Sequence, residues 1–200
     1  MSAIEQLLLS REFSCLPPLF YNNEYALRCE LGTGGAATAG QVRTAEEKAR
    51  RIYRILFPEG ADVLFFHREV FRPEDADRWQ RRFTGSFLRK YRCAVIEGLE
   101  TEDPAPEGLI RRDRILCYAD GKQFGSTRLI RRLVRADFGG KGALDASFVS
   151  FENECFLSIY DDRGCDIVFA SPEKYREFFP LLSEYLLDYD LEEMKRRLGG

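Results

Sequence analysis

Three carboxylates fall within one short run, Tyr160-Asp161-Asp162-Arg163-Gly164-Cys165-Asp166. Oxygen ligands gathered this closely can hold a hard cation. The run lacks the alternate-position acids and the closing Glu of an EF-hand loop. The same residues also suit a turn. Asp161 then accepts backbone N–H bonds, Arg163 meets solvent or a neighbouring carboxylate, and Asp166 bonds Tyr160 or Arg28. His67 is the only histidine, so a Ser-His or Cys-His hydrolase would have to use it as base. It lies in a strand-like run with no nucleophile-elbow pattern, which favours a structural role. The six cysteines, Cys15, Cys29, Cys93, Cys117, Cys155 and Cys165, include no C-x-x-C pair. That spacing offers no zinc site and suggests reduced, buried thiols in a cytoplasmic protein.

Two glycine patterns resemble phosphate loops. Gly32-Thr33-Gly34-Gly35-Ala36-Ala37 fits G-x-G-x-x-A after a strand. A dinucleotide site needs the helix to open at those glycines, whereas Thr44-Ala45-Glu46-Glu47 reads as a capping box that starts it later. Gly35 to Gly40 has Walker A glycine spacing, but Gln41 and Val42 stand where Lys and Ser/Thr belong. A surface loop is the better reading. Arg128, Arg131, Arg132 and Arg135 form one basic helix face, and Arg78, Arg81 and Arg82 another. No nucleic-acid motif accompanies them, so they read as solvated faces.

The elements that must position these groups can be read in turn. Residues 3–13 suggest a short amphipathic helix, ended by Pro17-Pro18. Tyr25 to Leu31 alternates as a half-buried strand with Tyr25, Leu27, Cys29 and Leu31 inward. The capped helix buries Ala45, Ala49, Ile52 and Leu56 and puts Glu46/Arg50 and Glu47/Arg51 on its wet side. Val63 to Phe71 is a strand too apolar for an edge, residues 74–91 a helix, and Cys93 to Ile96 a short strand. The stretch 100–108 is an acidic surface loop. Ile115 to Tyr118 is a strand before an Asp120-Gly121 turn. Ser126 caps a helix that stops at Gly139-Gly140.

Phe148 to Phe151, a turn at Asn153 and two further runs make a β-meander. Its hairpin pairs Leu157 with Phe169 and Ile159 with Ile167, with Gly164 left-handed at a bulge. One face then carries Cys155, Leu157, Ile159, Cys165, Ile167 and Phe169. The other is mixed, with Tyr160 opposite Asp166. Ser171-Pro172 starts a helix that Pro180 kinks or restarts. Asp190 and Glu193 cap a last helix ending near Gly199. The order of elements predicts an α+β fold: a largely antiparallel sheet with helices packed on it, and a C-terminal meander followed by two helices.

Two hundred residues with 44% hydrophobic and 32% charged content suit one α+β domain over 1–200. A net charge of −3 gives no polyanion signal. Arginine makes up 24 of the 30 basic residues, a bias that genome composition explains. No run reaches the ~18–20 apolar residues of a membrane span. The first residues lack the basic n-region of a signal peptide.

The Tyr-Asp-Asp-Arg-Gly-Cys-Asp run at 160–166 resembles the motif of an uncharacterised bacterial family, a domain of unknown function found mainly in Firmicutes. Tyr25 to Gly32, Asp137-Phe138-Gly139-Gly140 and Tyr185 to Asp190 resemble it in the same order, over about residues 20–198. Asn23-Glu24-Tyr25 stands where the pattern has Trp-Glu-Tyr, and Tyr185 where it has Trp. The resemblance implies no activity. It is compatible with an immunity-type or other partner-binding role.

The leading expectation is a non-enzymatic protein-binding domain with no cofactor and no metal. Its candidate binding residues are Tyr160, Asp161, Asp162, Arg163, Gly164 and Asp166. The alternatives are a ligand-binding domain or enzyme using that acidic hairpin, and an RNA binder using the arginine faces. The partner is a protein of unknown identity, with no membrane. Oligomeric state stays open.

Overall fold

The structure, a computed structural model, describes residues 2–10, 13, 18–32, 38–70, 92–99, 111–118, 125–136 and 146–199. The helix expected over 74–91, the acidic loop 100–108, the Asp120-Gly121 turn, the Gly139-Gly140 stop and most of the glycine loop lie outside these residues.

Among the described residues, seven strands form one antiparallel sheet in the order β1-β7-β6-β5-β2-β4-β3. They are β1 (Ala26–Glu30), β2 (Val63–Val70), β3 (Arg92–Leu99), β4 (Arg111–Tyr118), β5 (Ala146–Ser150), β6 (Cys155–Ile159) and β7 (Gly164–Phe169). Helices α1 (Ala3–Leu9), α2 (Leu19–Asn22), α3 (Ala39–Leu56), α4 (Ser126–Val134), α5 (Pro172–Leu182) and α6 (Leu191–Arg196) accompany it. The chain is therefore α+β, with the β5-β6-β7 meander followed by helices. The apolar β2 run does lie inside the sheet, between β5 and β4.

Side chains alternate across a strand, and the two sheet faces are covered by different elements. Helix α3 covers one face, its Tyr53 ring meeting Phe148 edge-on at 4.9 Å. Phe178 of α5 stacks on Phe169 at 5.4 Å on that same face. On the other face Phe13 packs edge-on against Phe156 at 5.2 Å. Helix α2 also sits there, as the site geometry below shows.

Several boundaries differ from the sequence pattern for identifiable reasons. Helix α1 ends at Leu9 rather than at residue 13. The Ser10 hydroxyl donates to Leu7 O at 2.8 Å and accepts from Phe13 N at 3.3 Å, replacing helical bonds with local ones. Helix α3 starts at Ala39. Its capping box is Thr38 with Gln41, each side chain bonding the other's backbone N–H. Thr44 is interior and donates its hydroxyl to Gly40 O. A late helix start therefore does not exclude a dinucleotide loop. What stands against that loop is that β1 runs antiparallel to its neighbour at a sheet edge. Gly125, not Ser126, occupies the N-cap of α4.

Strands β3 and β4 are longer than the apolar runs suggest, since the ladder carries through Glu97, Arg112 and Asp113. The predicted N-cap and N1 of α5, Ser171 and Pro172, are both observed. Pro180 lies inside α5, which continues to Leu182 before a tighter turn.

The β6–β7 hairpin keeps the predicted faces but not the predicted register. Leu157 pairs with Ile167, Ile159 with Cys165, and Ser158, not Tyr160, with Asp166. Tyr160 N donates to Gly164 O at 3.4 Å, leaving Asp161, Asp162 and Arg163 as the loop. Gly164 is the first residue of β7 and its φ is not left-handed. Its constraint is space. A Cβ there would collide with the Tyr160 hydroxyl and lie 2.8 Å from Cys29 O.

Candidate functional site

The site is built where β1, β7 and β6 meet α2 and the C-terminal helices. Arg28 on β1 stands directly opposite Asp166 on β7. By alternation Glu30, Gly164, Ser158 and Tyr160 share their face. Arg28 Nε donates to Asp166 Oδ1 at 2.9 Å and Nη2 to Oδ2 at 3.1 Å, a fork-on-fork pair. Asp166 is buried and also accepts Phe20 N at 3.1 Å. That amide is one of the unsatisfied donors in the first turn of α2. Helix α2 has only four residues and no side-chain cap of its own, so a carboxylate from β7 fills that role.

A second carboxylate completes the network. Arg28 Nη1 lies 3.5 Å from Asp190 Oδ2, and the Tyr21 hydroxyl donates to Asp190 Oδ1 at 2.9 Å. Asp190 Oδ2 is buried and has no hydrogen bond. Asp190 does occupy the N-cap position of α6, but its side chain makes no cap bond. The long-range partners have taken it, which corrects its expected role. Glu193 likewise pairs with Arg196 and Arg197 instead of the helix start.

Aromatic rings hold the guanidinium groups in place. The Arg28 Cζ lies 4.8 Å from the Tyr21 centroid and 5.2 Å from that of Phe20. Arg197 Cζ sits 4.3 Å from the Phe20 ring, and its Nη1 donates to Phe20 O at 3.0 Å and Asn23 O at 3.1 Å. Such contacts add roughly 0.5–2 kcal/mol each, more as they are desolvated. Burial opposes the charge on Arg28, but its bond to Asp166 and the nearby carboxylate charges outweigh this and raise its pKa. The hydrogen bond to Asp190, then burial, raises the Tyr21 phenol. Burial, then the Asp166 charge, raises the Tyr160 phenol well above the usual range.

The hairpin tip has its own tie. Asp161 is buried, and its Oδ1 accepts Arg163 N at 2.7 Å while Oδ2 accepts Arg163 Nε at 2.8 Å. The predicted Asx-turn is therefore present. Leu31 N and Gly32 N both donate to Arg163 O, at 2.8 and 3.3 Å. A Cβ on Gly32 would lie 2.6 Å from Asp162 O, so glycine lets the chain after β1 close on the tip.

The structure thus brings Tyr160, Gly164 and Asp166 together with Arg28, and sets Asp161 and Arg163 apart in a turn that the end of β1 bonds. Asp161 and Asp166 are each committed to protein donors. Among the described residues no group of three His, Cys, Asp or Glu side chains is placed to hold a metal ion. The side chain of His67 lies outside the described residues. The basic face of α4 is not simply solvated, because Arg135 Nε and Arg131 Nε bond Glu46 at 2.6 and 3.3 Å, as Arg50 Nη2 does at 3.0 Å. Glu46 is buried rather than on a wet side.

Tyr21, Asp190 and Arg197 escape sequence reasoning. Tyr21 and Asp190 are 169 positions apart, and no local period links them. The outer edge of β1 is also closed from afar. Leu187 N donates to Arg28 O at 2.9 Å, and Cys29 bridges Leu186. Arg28 N contacts Met194 Sδ at 3.4 Å.

A family model described as a domain of unknown function (DUF3885) matches residues 6–190. No curated protein and no solved structure matches the chain. The matched span includes Tyr21, Arg28, Tyr160, Asp166 and Asp190, while Glu193, Met194 and Arg197 lie beyond it.

Proposed function

The chain belongs to the DUF3885 family, and from that premise, which brings no activity with it, we propose that it works by binding another protein through the tyrosine-edged end of its sheet. One observation carries this reading. Tyr21, Tyr160 and Tyr189 are 53%, 38% and 87% exposed, and all three border the Arg28–Asp166–Asp190 network. Tyrosine and arginine dominate binding hot spots. Tyrosine gives a large amphipathic contact area with few rotamers to freeze. Here the support beneath the rings is fixed before any partner arrives.

The carboxylate-centred alternative has less to stand on, since Asp161 and Asp166 already have their partners. The RNA-binding alternative loses Arg131 and Arg135 to Glu46.

Tyr189 makes the cleanest probe because it is almost wholly exposed. The test is cross-linked capture from the native cell with the unmodified chain and with Tyr189→Ala, at matched melting temperatures. A partner held by the first and lost with the second is expected. Identical partners with both chains, or none with either, would overturn the reading.

A further inference from the structure

A cavity of about 240 Å³ opens between the C-terminal end of α3 and the N-terminal end of α4, and its lining includes none of the three exposed tyrosines. Arg50, Tyr53, Arg54, Gly60, Ser126 and Thr127 are among its lining. Two of its guanidinium groups keep donors without a partner. Arg54 is exposed and has no ion-pair partner among the described residues. Arg50 gives Nη2 to Glu46, but its Nε is buried and has no acceptor. Helix α4 begins at Gly125 with no side-chain cap and no acid in its first turn. Its first N–H groups and the positive end of its dipole are therefore left unneutralised at the cavity. Thr127 adds a hydroxyl, while that of Ser126 is given to the Tyr53 hydroxyl, which also accepts Ala61 N at 3.0 Å. Glu59 is the single acid among the described lining residues.

We propose that this cavity binds a dianionic phosphate group, either free or as the monoester of a small molecule. The donor set is one-sided. Guanidinium, backbone N–H and hydroxyl groups border one cavity, and a phosphate presents acceptor oxygens to such donors. Size narrows the class. Pockets for drug-sized ligands run from about 300 to 1,000 Å³, so this one suits a phosphate with a few further heavy atoms rather than a nucleotide. The inference is independent of the protein-binding reading and uses none of its residues.

The test is ³¹P NMR titration of the full chain with inorganic phosphate and, separately, with glycerol phosphate, at constant ionic strength in chloride. Saturable binding is expected for at least one of the two. Arg54→Gln should weaken it at least tenfold, and Thr127→Asp, which places a carboxylate at the start of α4, should abolish it. Both positions are exposed, and unchanged melting temperatures would confirm that the variants are folded. Tighter glycerol phosphate would identify the monoester as the ligand, and equal or tighter phosphate would identify the free ion. Binding no stronger than chloride accounts for, or saturable binding that both variants keep, would overturn the proposal.

Discussion

Asp166 and Arg28 face one another across β7 and β1 and close a two-point pair, Nε to Oδ1 at 2.9 Å and Nη2 to Oδ2 at 3.1 Å. The carboxylate also holds the first turn of α2 through Phe20 N. One side chain thus joins two strands and a helix.

Asp166→Ala should remove all three bonds and leave a mostly buried guanidinium with Asp190 as its remaining carboxylate partner among the described residues. Breaking a buried pair from one side costs about 3–5 kcal/mol, and the lower end is expected because Arg28 keeps some solvent contact. Asp166→Asn, which keeps an acceptor for Phe20 N, should cost less. Urea unfolding of both variants checks this. A loss below about 0.5 kcal/mol for Asp166→Ala, the level of an ordinary surface change, would contradict it.

Gly164→Ala should destabilise by about 1–3 kcal/mol through overpacking, since the new Cβ meets the Tyr160 hydroxyl and Cys29 O. Asparagine discriminates the cause. A left-handed position tolerates Asn, whereas a crowded extended one does not, so Gly164→Asn should unfold at least as readily as Gly164→Ala. A clearly milder asparagine variant would restore the bulge explanation.

Cys29, Cys117, Cys155 and Cys165 are buried free thiols. Burial pushes the Cys155 thiol well up. For Cys165, its bond to Cys29, followed by burial, does the same. Burial keeps the reagent from all four, so a colorimetric thiol reagent at pH 8 should leave them untouched in the native protein. All six cysteines should react once denaturant is added. A native-state reaction at more positions than Cys15 and Cys93, whose side chains are not described, would refute this.

Alkaline pH should weaken the fold. Burial is the main cause that pushes Tyr175 up to about 12 from 10.0, while its hydroxyl donates to Met194 O at 2.7 Å. The unfolded chain loses this proton first. The stabilisation is therefore complete below pH 10 and is lost as pH rises towards 12. Tyr53 and Tyr160 are raised in the same direction. Urea midpoints across that range should fall, and Tyr175→Phe should fall less steeply from a lower starting point. Parallel slopes for the two chains would remove Tyr175 from the account.

The sequence reveals most where burial is one-sided. Alternation places Tyr25, Leu27, Cys29 and Leu31 inward; the last three are buried and Tyr25 is half-buried. In the hairpin it separates the two faces correctly but misses the register by two. Segregation constrains only parity, because a shift of two returns every side chain to its own face. The true loop length comes from bonds that no window of the hairpin contains, those of Leu31 N and Gly32 N to Arg163 O. Two capping boxes compete at α3, and the glycine in Ala39-Gly40 hides the one that operates. The Arg28–Asp166 pair was accessible as one of two partners for Asp166. Asp190 was not, since its local role as a helix cap is plausible until Tyr21 and Arg28 are brought beside it.

The cover over the outer edge of β1 has a consequence for how the chain is made. Met194 arrives 166 positions after Arg28, and Leu187 only slightly sooner. Throughout that interval of synthesis, β1 offers unpaired backbone groups that can recruit a foreign strand. That edge is thus most open while the chain is being translated, and its cover is complete only once α6 has been made.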